Sequence, residues 1–225
     1  MKNVVKYHYD TIADSYDDRS NKYCNGRYLK EVTKHLHQND IIIEIGCGSG
    51  VLLSQLMAAK KIGCDLSFNF IKMMHQTNVL RIQADAETVP LKSEYANIVY
   101  HINLLEHVPE PGRVIREGMR LIKSGGRQII ITPNGDLGAV LKLAEKLHLK
   151  IPEGPHRFLK TREFKRIISG INARVIEFKK MVIFPFGPRT LQSFGEVMET
   201  VVKIGLFHLI VLEKTDHADK TSPAF

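Results

Sequence analysis

A run of β-branched residues that ends in a glycine-rich corner constrains this chain more than any other feature of its sequence. Residues 41–45 read IIIEI, a short apolar run typical of a strand buried on both faces of a sheet. Glycines follow at positions 46, 48 and 50, and helical spacing of apolar residues then covers Val51–Lys60. This order predicts a bend at which bare backbone and amide N–H groups approach a ligand, with a plain glycine turn as the alternative. The buried face of the helix is expected to carry Leu52, Leu53, Leu56 and Met57.

The spacing of the glycines bears on which ligand the bend binds. The dinucleotide fingerprint G-x-G-x-x-G would require glycine where this chain has Val51, which disfavours an NAD-dependent oxidoreductase. The early third glycine, with Glu44 just before the loop, resembles the first motif of class I S-adenosylmethionine-dependent methyltransferases. That resemblance implies a loop wrapped around the amino-acid part of S-adenosyl-L-methionine, with Glu44 hydrogen-bonded to the loop and to the cofactor ammonium. The loop residues it assigns to cofactor binding are Gly46, Cys47, Gly48 and Gly50.

Two further predicted strands are each followed by a carboxylate. The strand at 61–65 ends at Asp65, and the next strand is followed by Asp85. An acid at such a strand end can accept hydrogen bonds from ribose hydroxyls. The resemblance implies this role for Asp65, with Leu66 against the adenine. It also implies that Asp85 accepts from the adenine amino group while the Ala86 N–H bonds the ring. A helix cap and an Asp turn are the respective alternatives.

The fourth predicted strand, 95–101, opens into the sequence LLEHVPEP. This stretch resembles the L-E-H-V-P-D-P signature of methyltransferases that act on small molecules, notably those of quinone biosynthesis. Glu106 and His107 are expected at the mouth of the cleft as a base or polar anchors, or as hydrogen-bonding groups that fix the loop. The quinone branch holds a metal with E-x-x-E-H, but Asn103 replaces the first glutamate, so no metal site is predicted. His101 is expected to contact the cofactor or to act as a base.

The N-terminal residues 1–38 are predicted to form a helical cover. Tyr9-Asp10, Ala13 and Tyr16-Asp17 match the Y-D-x-x-A-x-x-Y-D opening that covers the cofactor cleft in small-molecule members of the family. The resemblance therefore places Tyr9 and Tyr16 near the cofactor or substrate. Simple packing of amphipathic aromatic rings is the alternative.

A second covering element is predicted at residues 135–155. An amphipathic helix over Leu137–Leu149 is expected to cap the substrate pocket. His156 follows, and the family carries a histidine at this place, so His156 is a candidate pocket residue and base. An uninvolved loop histidine is the alternative.

Charge and composition limit the partners and the compartment. The net charge is +8, but the basic residues are scattered, and their densest group, 157–166, is typical of a solvated helix face. A nucleic-acid partner is therefore not expected. No apolar run reaches the roughly 20 residues of a membrane span, no signal peptide is evident, and three cysteines lack metal or redox spacing. A reduced, cytoplasmic protein is expected.

Strands alternating with helices predict a doubly wound, Rossmann-like α/β fold, and the resemblance adds a seven-stranded sheet whose last strand is antiparallel. We expect one domain over 1–214 and a flexible tail over 215–225. The implied function is methyl transfer from S-adenosyl-L-methionine to an O, N or C atom of a phenolic, quinone-like or lipid small molecule. An RNA or protein methyltransferase and a non-catalytic cofactor-binding protein are the alternatives. Candidate catalytic residues are His101, His107 and His156.

Overall fold

The computed structural model describes residues 2–75, 78–146 and 156–215. Within those ranges one sheet contains seven strands: β1 Ile41–Ile45, β2 Lys60–Asp65, β3 Val79–Gln83, β4 Ala96–Ile102, β5 Ile122–Pro133, β6 Ala173–Met181 and β7 Phe207–Lys214. Their order is β3-β2-β1-β4-β5-β7-β6. Strand β7 runs antiparallel to both neighbours, and the other adjacent pairs are parallel. This confirms the predicted Rossmann-like sheet with its last strand antiparallel.

Helices cover both faces of the sheet. The described α-helices are α1 Lys2–Arg19, α2 Lys22–Thr33, α3 Val51–Gln55, α4 Phe68–Met73, α5 Pro111–Leu121, α6 Gly138–Lys146, α7 Thr161–Ile168 and α8 Arg189–Val202. On one face Ile42 packs with Tyr28 of α2 and Leu53 of α3, and on the other Ile43 packs with Val114 of α5. Burial of each such side chain contributes about 1.5–3 kcal/mol. None of these helices combines the length and apolar character needed to cross a bilayer.

The sheet reverses its strand order between β1 and β4. Strand β1 pairs with β2 on one side and with β4 on the other, so the chain winds outward in both directions from this point. Ligands of open α/β sheets bind in the crevice at the carboxyl ends of the strands beside such a reversal. Asn97 secures this part of the sheet, because its Oδ1 accepts a hydrogen bond from the Ile41 N–H at 3.0 Å.

Helix α3 is shorter than its apolar spacing predicts. It ends at Gln55 rather than Lys60, and Met57 is exposed, whereas Leu53 and Leu56 are buried. The ammonium of the buried Lys61 donates to the carbonyl oxygens of Ser54 and Leu56, at 3.0 and 3.2 Å. Those carbonyls at the helix end are thus satisfied by a residue of β2, and the chain turns directly into the strand.

The two predicted covering segments are both helical where they are described. The N-terminal segment, predicted as a helical cover over residues 1–38, forms two helices, α1 and α2. The cap segment begins with a 3₁₀ turn at Gly135–Leu137 and continues as α6, whereas residues 147–155 lie outside the described ranges. Of the predicted tail, 216–225 also lie outside them.

Candidate active site

A cleft of about 670 Å³ opens at the carboxyl ends of the strands, next to the reversal of strand order. Helix α1 forms part of its wall. Nine of the eleven residues predicted to bind the cofactor line this cleft, so the structure brings together side chains from three separate strand ends and α1. They are Tyr16, Glu44, Gly46, Cys47, Gly48, Asp65, Leu66, Asp85 and Ala86.

The glycine loop gives the cleft its shape through backbone conformation. Gly46 has φ +76° and Gly48 has φ +53°, a region that residues with a side chain rarely adopt. A Cβ on Gly46 would lie 2.9 Å from Leu104 Cδ1. The N–H groups of Gly46 and Cys47 both donate to the Cys64 carbonyl, at 2.7 and 3.1 Å. These two amides are therefore used within the protein, which corrects the expectation of ligand-facing N–H groups for this part of the loop.

Gly50 does not line the cleft, contrary to the prediction. Its N–H donates to the Cys47 carbonyl at 2.9 Å, and its φ is +75°. A Cβ at this position would lie 2.8 Å from Met74 Cε. The third glycine thus closes the turn into α3 and faces the apolar core on the other side of the loop.

Glu44 lies at the floor of the cleft. The side chain is 2% exposed, and Oε2 accepts a hydrogen bond from the buried Tyr100 hydroxyl at 3.1 Å. Burial, with a smaller contribution from the nearby Asp65, raises the pKa of Glu44 to about 8. A carboxyl group in this environment gains from a cation placed beside it, because the cation stabilises the ionised form. The residue therefore suits the ammonium of an amino-acid group.

Asp65 is held in one orientation by two backbone N–H groups. Oδ2 accepts from Gly48 at 2.8 Å and Oδ1 accepts from Ser67 at 2.8 Å. Burial raises the pKa of Asp65 above its usual value, against the effect of these hydrogen bonds. Each carboxylate oxygen keeps a second lone pair for a ligand, which is what two adjacent ribose hydroxyls require.

Asp85 meets a cation from the N-terminal helix. Its Oδ2 lies 2.6 Å from the Lys2 ammonium, and its Oδ1 accepts from the Glu87 N–H at 3.0 Å. Partial burial opposes the effect of these contacts, but together they hold the pKa of Asp85 below its usual value. The sequence offered no sign of the Lys2 contact, because the two residues are 83 positions apart.

Helix α1 is fastened to the cleft by polar and aromatic contacts. The Ser49 hydroxyl donates to Asp17 at 2.6 Å. The ring of Tyr16 meets Tyr9 and Phe70 edge-on, with centroids 6.0 and 5.5 Å apart. Tyr16 thus lies in an aromatic group at the cleft wall, where it was predicted to lie near the cofactor.

The tyrosine hydroxyl of Tyr9 is hydrogen-bonded to His107 across the cleft. The distance from the Tyr9 oxygen to His107 Nε2 is 2.9 Å, and the two rings meet edge-on with centroids 5.4 Å apart. Both residues line the cleft. When Nε2 carries no proton, the phenol donates to it, which is the geometry a general base makes with an acidic hydroxyl.

The residues in the positions of the E-x-x-E-H pattern do not fit a metal. Asn103 supplies a neutral amide, has φ +51°, and lines the cleft. Glu106 is 1% exposed and its Oε2 accepts from the Thr132 hydroxyl at 3.0 Å, so it is bonded inside the protein. His107 Nε2 contacts Tyr9. Within residues 2–75, 78–146 and 156–215 no three metal-ligating side chains form a cluster.

His101 lies inside the protein, contrary to both roles predicted for it. Its side chain is 0% exposed, and Nε2 is 3.1 Å from the Gln128 amide nitrogen on the neighbouring strand. Burial lowers the pKa of His101 to about 3. The residue occupies a core-facing position of β4 and does not line the cleft, because side chains alternate between the two faces of a strand.

His156 is close to the cleft but is not among the residues that line it. Its Nε2 is 3.2 Å from Glu145 Oε1, and its ring lies 4.6 Å from that of Phe158. The centroid of His107 is 6.2 Å away. Of the three predicted histidines, the structure therefore places only His107 in the cleft.

Beyond the predicted cap helix, the apolar region of the cleft was not anticipated from the sequence. It is formed by Leu141 of α6, Phe186 in the β6–α8 connection, and Leu206 and Phe207 at the start of β7. The sheet order puts this region on the β7 side of the reversal, opposite Asp85 after β3. For Phe186 the stretch FPFGP at 184–188 was the only signal, and nothing local in it indicates that it reaches the cleft.

Comparisons with known proteins agree with this architecture. A family model described as a methyltransferase domain matches residues 43–130. Ubiquinone biosynthesis O-methyltransferases are similar in sequence: that of Nitrosomonas europaea is 31% identical over 59% of this chain, and that of Burkholderia lata is 28% identical over 65%. The alignments span 61% and 70% of those two proteins.

A solved structure shares the fold across nearly the whole chain. It is a methyltransferase from Thermotoga maritima, described as a possible histamine N-methyltransferase, with a TM-score of 0.71 and 21% identity. The match covers 94% of this chain and all of that one. Residues 43–130 therefore match a methyltransferase domain, and the sequence similarities support a class I S-adenosylmethionine-dependent methyltransferase. The family and its cofactor, S-adenosyl-L-methionine, were both predicted from the sequence and are confirmed.

Proposed function

We propose that this protein methylates a hydroxyl oxygen of a small, largely apolar acceptor of phenolic or quinol type. The observation that carries this proposal is the hydrogen bond of 2.9 Å between the Tyr9 phenol and His107 Nε2 inside the cleft. A phenol is thus already held against a potential base at this place. The O-methyltransferase relatives of quinone biosynthesis support the same class of acceptor.

The polar side of the cleft suits the cofactor. Glu44 is placed for the ammonium, Asp65 for the ribose hydroxyls, and Asp85 with Ala86 for the adenine. The Gly46–Gly48 bend lines the cleft, and a side chain on Gly46 would collide with Leu104, which lines it too. These assignments follow from chemistry. The raised pKa of Glu44 suits a neighbouring ammonium, and the two spare lone pairs of the Asp65 carboxylate suit two ribose hydroxyls.

The apolar side suits the acceptor. Leu141, Phe186 and Phe207 offer surfaces for an aromatic ring or an alkyl substituent, and they exclude water from the reacting atoms. Asn103 adds a polar contact, because its buried Oδ1 has no hydrogen-bond partner among the described residues. A second hydroxyl on the acceptor satisfies that oxygen. His107, which follows β4, lies between the two sides.

His107 has the role of proton acceptor in this proposal. When bound, S-adenosylmethionine supplies a methyl group on a sulfonium sulfur, which keeps the C–S electron pair as the acceptor oxygen forms the new C–O bond. The acceptor displaces the Tyr9 hydroxyl from His107 Nε2 and gives its proton to that nitrogen. Orientation of the acceptor in the cleft supplies about 7–11 kcal/mol of the barrier reduction, and the base supplies about 10²–10⁴-fold.

The domain organisation is part of the proposal. Residues 1–214 act as one methyltransferase unit, in which 1–38 cover the cofactor side and 135–155 cover the acceptor side. Contacts from α1 to the cleft support the first assignment, through Lys2 with Asp85 and Asp17 with Ser49. Leu141 of α6 supports the second, since it lines the cleft.

A two-stage experiment tests the function. Isothermal titration with S-adenosylmethionine is expected to show one saturable site per chain. Incubation with methyl-labelled cofactor and a panel of phenols, quinols, amines, RNA and protein extracts is then expected to label the phenols and quinols. Labelling of RNA or protein alone would replace this proposal with a macromolecular acceptor. Tight cofactor binding with no labelled product from any class would identify a non-catalytic protein.

A further inference from the structure

Helix α8, Arg189–Val202, turns apolar side chains toward solvent. Phe194, Val197 and Val201 are 56%, 63% and 71% exposed. Their spacing of three and four residues places them on one face of the helix. Isolated apolar residues on a surface are common, but a continuous row of this kind marks a contact surface.

The two carboxylates of α8 point the other way. Glu199 forms a hydrogen-bonded ion pair with Arg27 of α2, at 2.6 and 3.1 Å, and also accepts from the Val182 N–H at 2.7 Å. Glu196 accepts from the Tyr23 hydroxyl at 3.2 Å. Helices on protein surfaces usually bury their apolar side. Here the ion pair fixes the reverse orientation, since turning the helix would leave the buried Arg27 without its carboxylate.

The apolar row continues along the chain beyond both ends of the helix. Phe186 precedes it and is 53% exposed, while it also lines the cleft. Ile204 follows it and is 46% exposed. The exposed apolar surface therefore reaches from the far end of α8 to the mouth of the cleft.

The exposed charges within this segment are positive. In the segment 186–204 the two exposed charged side chains are Arg189 and Lys203, because Glu196 and Glu199 face α2. The whole chain carries a net charge of +8. A second copy of the chain would bring like charges together at such a contact, whereas an anionic surface with an apolar interior complements both features.

We propose that α8 and its flanking residues dock this protein reversibly on an anionic lipid bilayer. The helix lies in the plane of the interface with Phe194, Val197 and Val201 among the acyl chains. Arg189 and Lys203 lie at the level of the lipid phosphates. The mouth of the cleft then faces the membrane beside Phe186, so that an apolar acceptor dissolved in the bilayer reaches the cleft without crossing water. The docking itself does not depend on the proposed reaction.

Flotation of the full chain with lipid vesicles tests this proposal. We expect binding to vesicles that contain a third phosphatidylglycerol in phosphatidylcholine. Binding to pure phosphatidylcholine is expected to be at least tenfold weaker, and added salt is expected to weaken binding to the anionic vesicles. The double variant Phe194→Ser/Val201→Ser is expected to lose at least tenfold in vesicle affinity. Its circular dichroism and its titration with S-adenosylmethionine are expected to match the unsubstituted protein, which separates docking from folding and from the proposed function.

Leu80→Ser provides the matched control. Leu80 is 48% exposed on β3, the strand at the opposite edge of the sheet from β6. This variant is expected to bind vesicles as the unsubstituted protein does. Equal vesicle binding by the α8 double variant would overturn the proposal. A second outcome would also overturn it: the unsubstituted protein sediments as a dimer and does not bind vesicles, whereas the double variant sediments as a monomer. The surface would then join two copies of the chain.

Discussion

The two sides of the cleft are built in different ways. The cofactor side is formed by loops that follow β1, β2 and β3, and its acids are held by local backbone: Asp65 by Gly48 and Ser67, and Asp85 by Glu87. The acceptor side is formed by side chains from α6, the β6–α8 connection and β7. The first is polar, and loop N–H groups help to hold Asp65 and Asp85, whereas the second is apolar and assembled from distant segments. The polar side, which we propose for the cofactor, is therefore built from adjacent strand-end loops, whereas the apolar side, which we propose for the acceptor, is built by packing of distant segments.

The largest effect is expected where the two sides meet, at His107. His107→Gln removes the proposed proton acceptor but keeps a polar side chain of similar reach. We expect kcat to fall about 10²–10⁴-fold. The dissociation constant for S-adenosylmethionine is expected to change little, since the residue contacts Tyr9 rather than the polar side. Steady-state rates with labelled cofactor and isothermal titration measure the two quantities.

His156→Gln is the matched control for that variant. The ring of His156 lies 6.2 Å from that of His107, and His156 does not line the cleft. We expect its kcat to stay within about threefold of the unsubstituted value. Loss of a general base lowers kcat by about 10²-fold or more, and His156 is not proposed as the base. Equal losses of kcat in the two variants would contradict the role of His107 as the base.

The next largest effect is expected on the cofactor side, at Asp65. Asp65→Asn replaces an ionised acceptor by an amide of the same shape. We expect cofactor binding to weaken by about 1.5–3 kcal/mol, the scale of hydrogen bonds to a charged group. Asp136→Asn changes a carboxylate that bonds Thr161 and Lys180 away from the cleft, and should leave the affinity unchanged. An Asp65→Asn protein with normal cofactor affinity would show that the ribose lies elsewhere.

The shape of the glycine loop is tested by a pair of alanine substitutions. Gly46→Ala and Gly125→Ala both place a side chain at positive φ, +76° and +70°, but only the first meets a neighbour, Leu104 at 2.9 Å. Both variants should lose about 1–3 kcal/mol of folding stability through backbone strain. Only Gly46→Ala should also lose cofactor affinity. Thermal unfolding and isothermal titration separate the two effects, and a loss of affinity in both variants would contradict a local role for the loop.

The smallest expected effect is a pH dependence of cofactor binding. The pKa of Glu44 is raised to about 8 by burial, so the residue is mainly protonated in the free protein at pH 6–7. A bound ammonium favours the ionised form and lowers that pKa, so binding releases a proton. The affinity should therefore rise by up to about tenfold per pH unit as pH rises toward 8. Glu44→Gln should flatten this rise, whereas an unchanged slope would place the ammonium away from Glu44.

The difference between the two sides also explains what the sequence could predict. The run IIIEIGCGSG, Asp65 and Asp85 are local signals, and they predicted the strands, the bend and the cofactor side. The same signals predicted that Gly50 contacts the cofactor, but it faces Met74 in the core. The glycine spacing alone does not show which side of a turn faces the cleft and which faces the core. His101 was misplaced for a similar reason, since one position along a strand changes the face on which a side chain lies.

Long-range contacts on both sides of the cleft could not be predicted in this way. Contacts such as Tyr9 with His107 and Lys2 with Asp85 join residues 98 and 83 positions apart, and no local pattern encodes them. The length of α3 also depends on a distant requirement, because Lys61 of β2 satisfies the carbonyl groups at its end. Sequence patterns therefore predict elements and strand-end residues here, whereas tertiary packing decides which of them meet.

A crystal structure of the complex with S-adenosylhomocysteine shows where each group of the cofactor lies. We expect the ribose hydroxyls on Asp65, the amino group beside Glu44, and the sulfur directed toward His107 and the apolar side of the cleft. A nucleoside bound away from Asp65, or a sulfur directed away from His107, would contradict this arrangement.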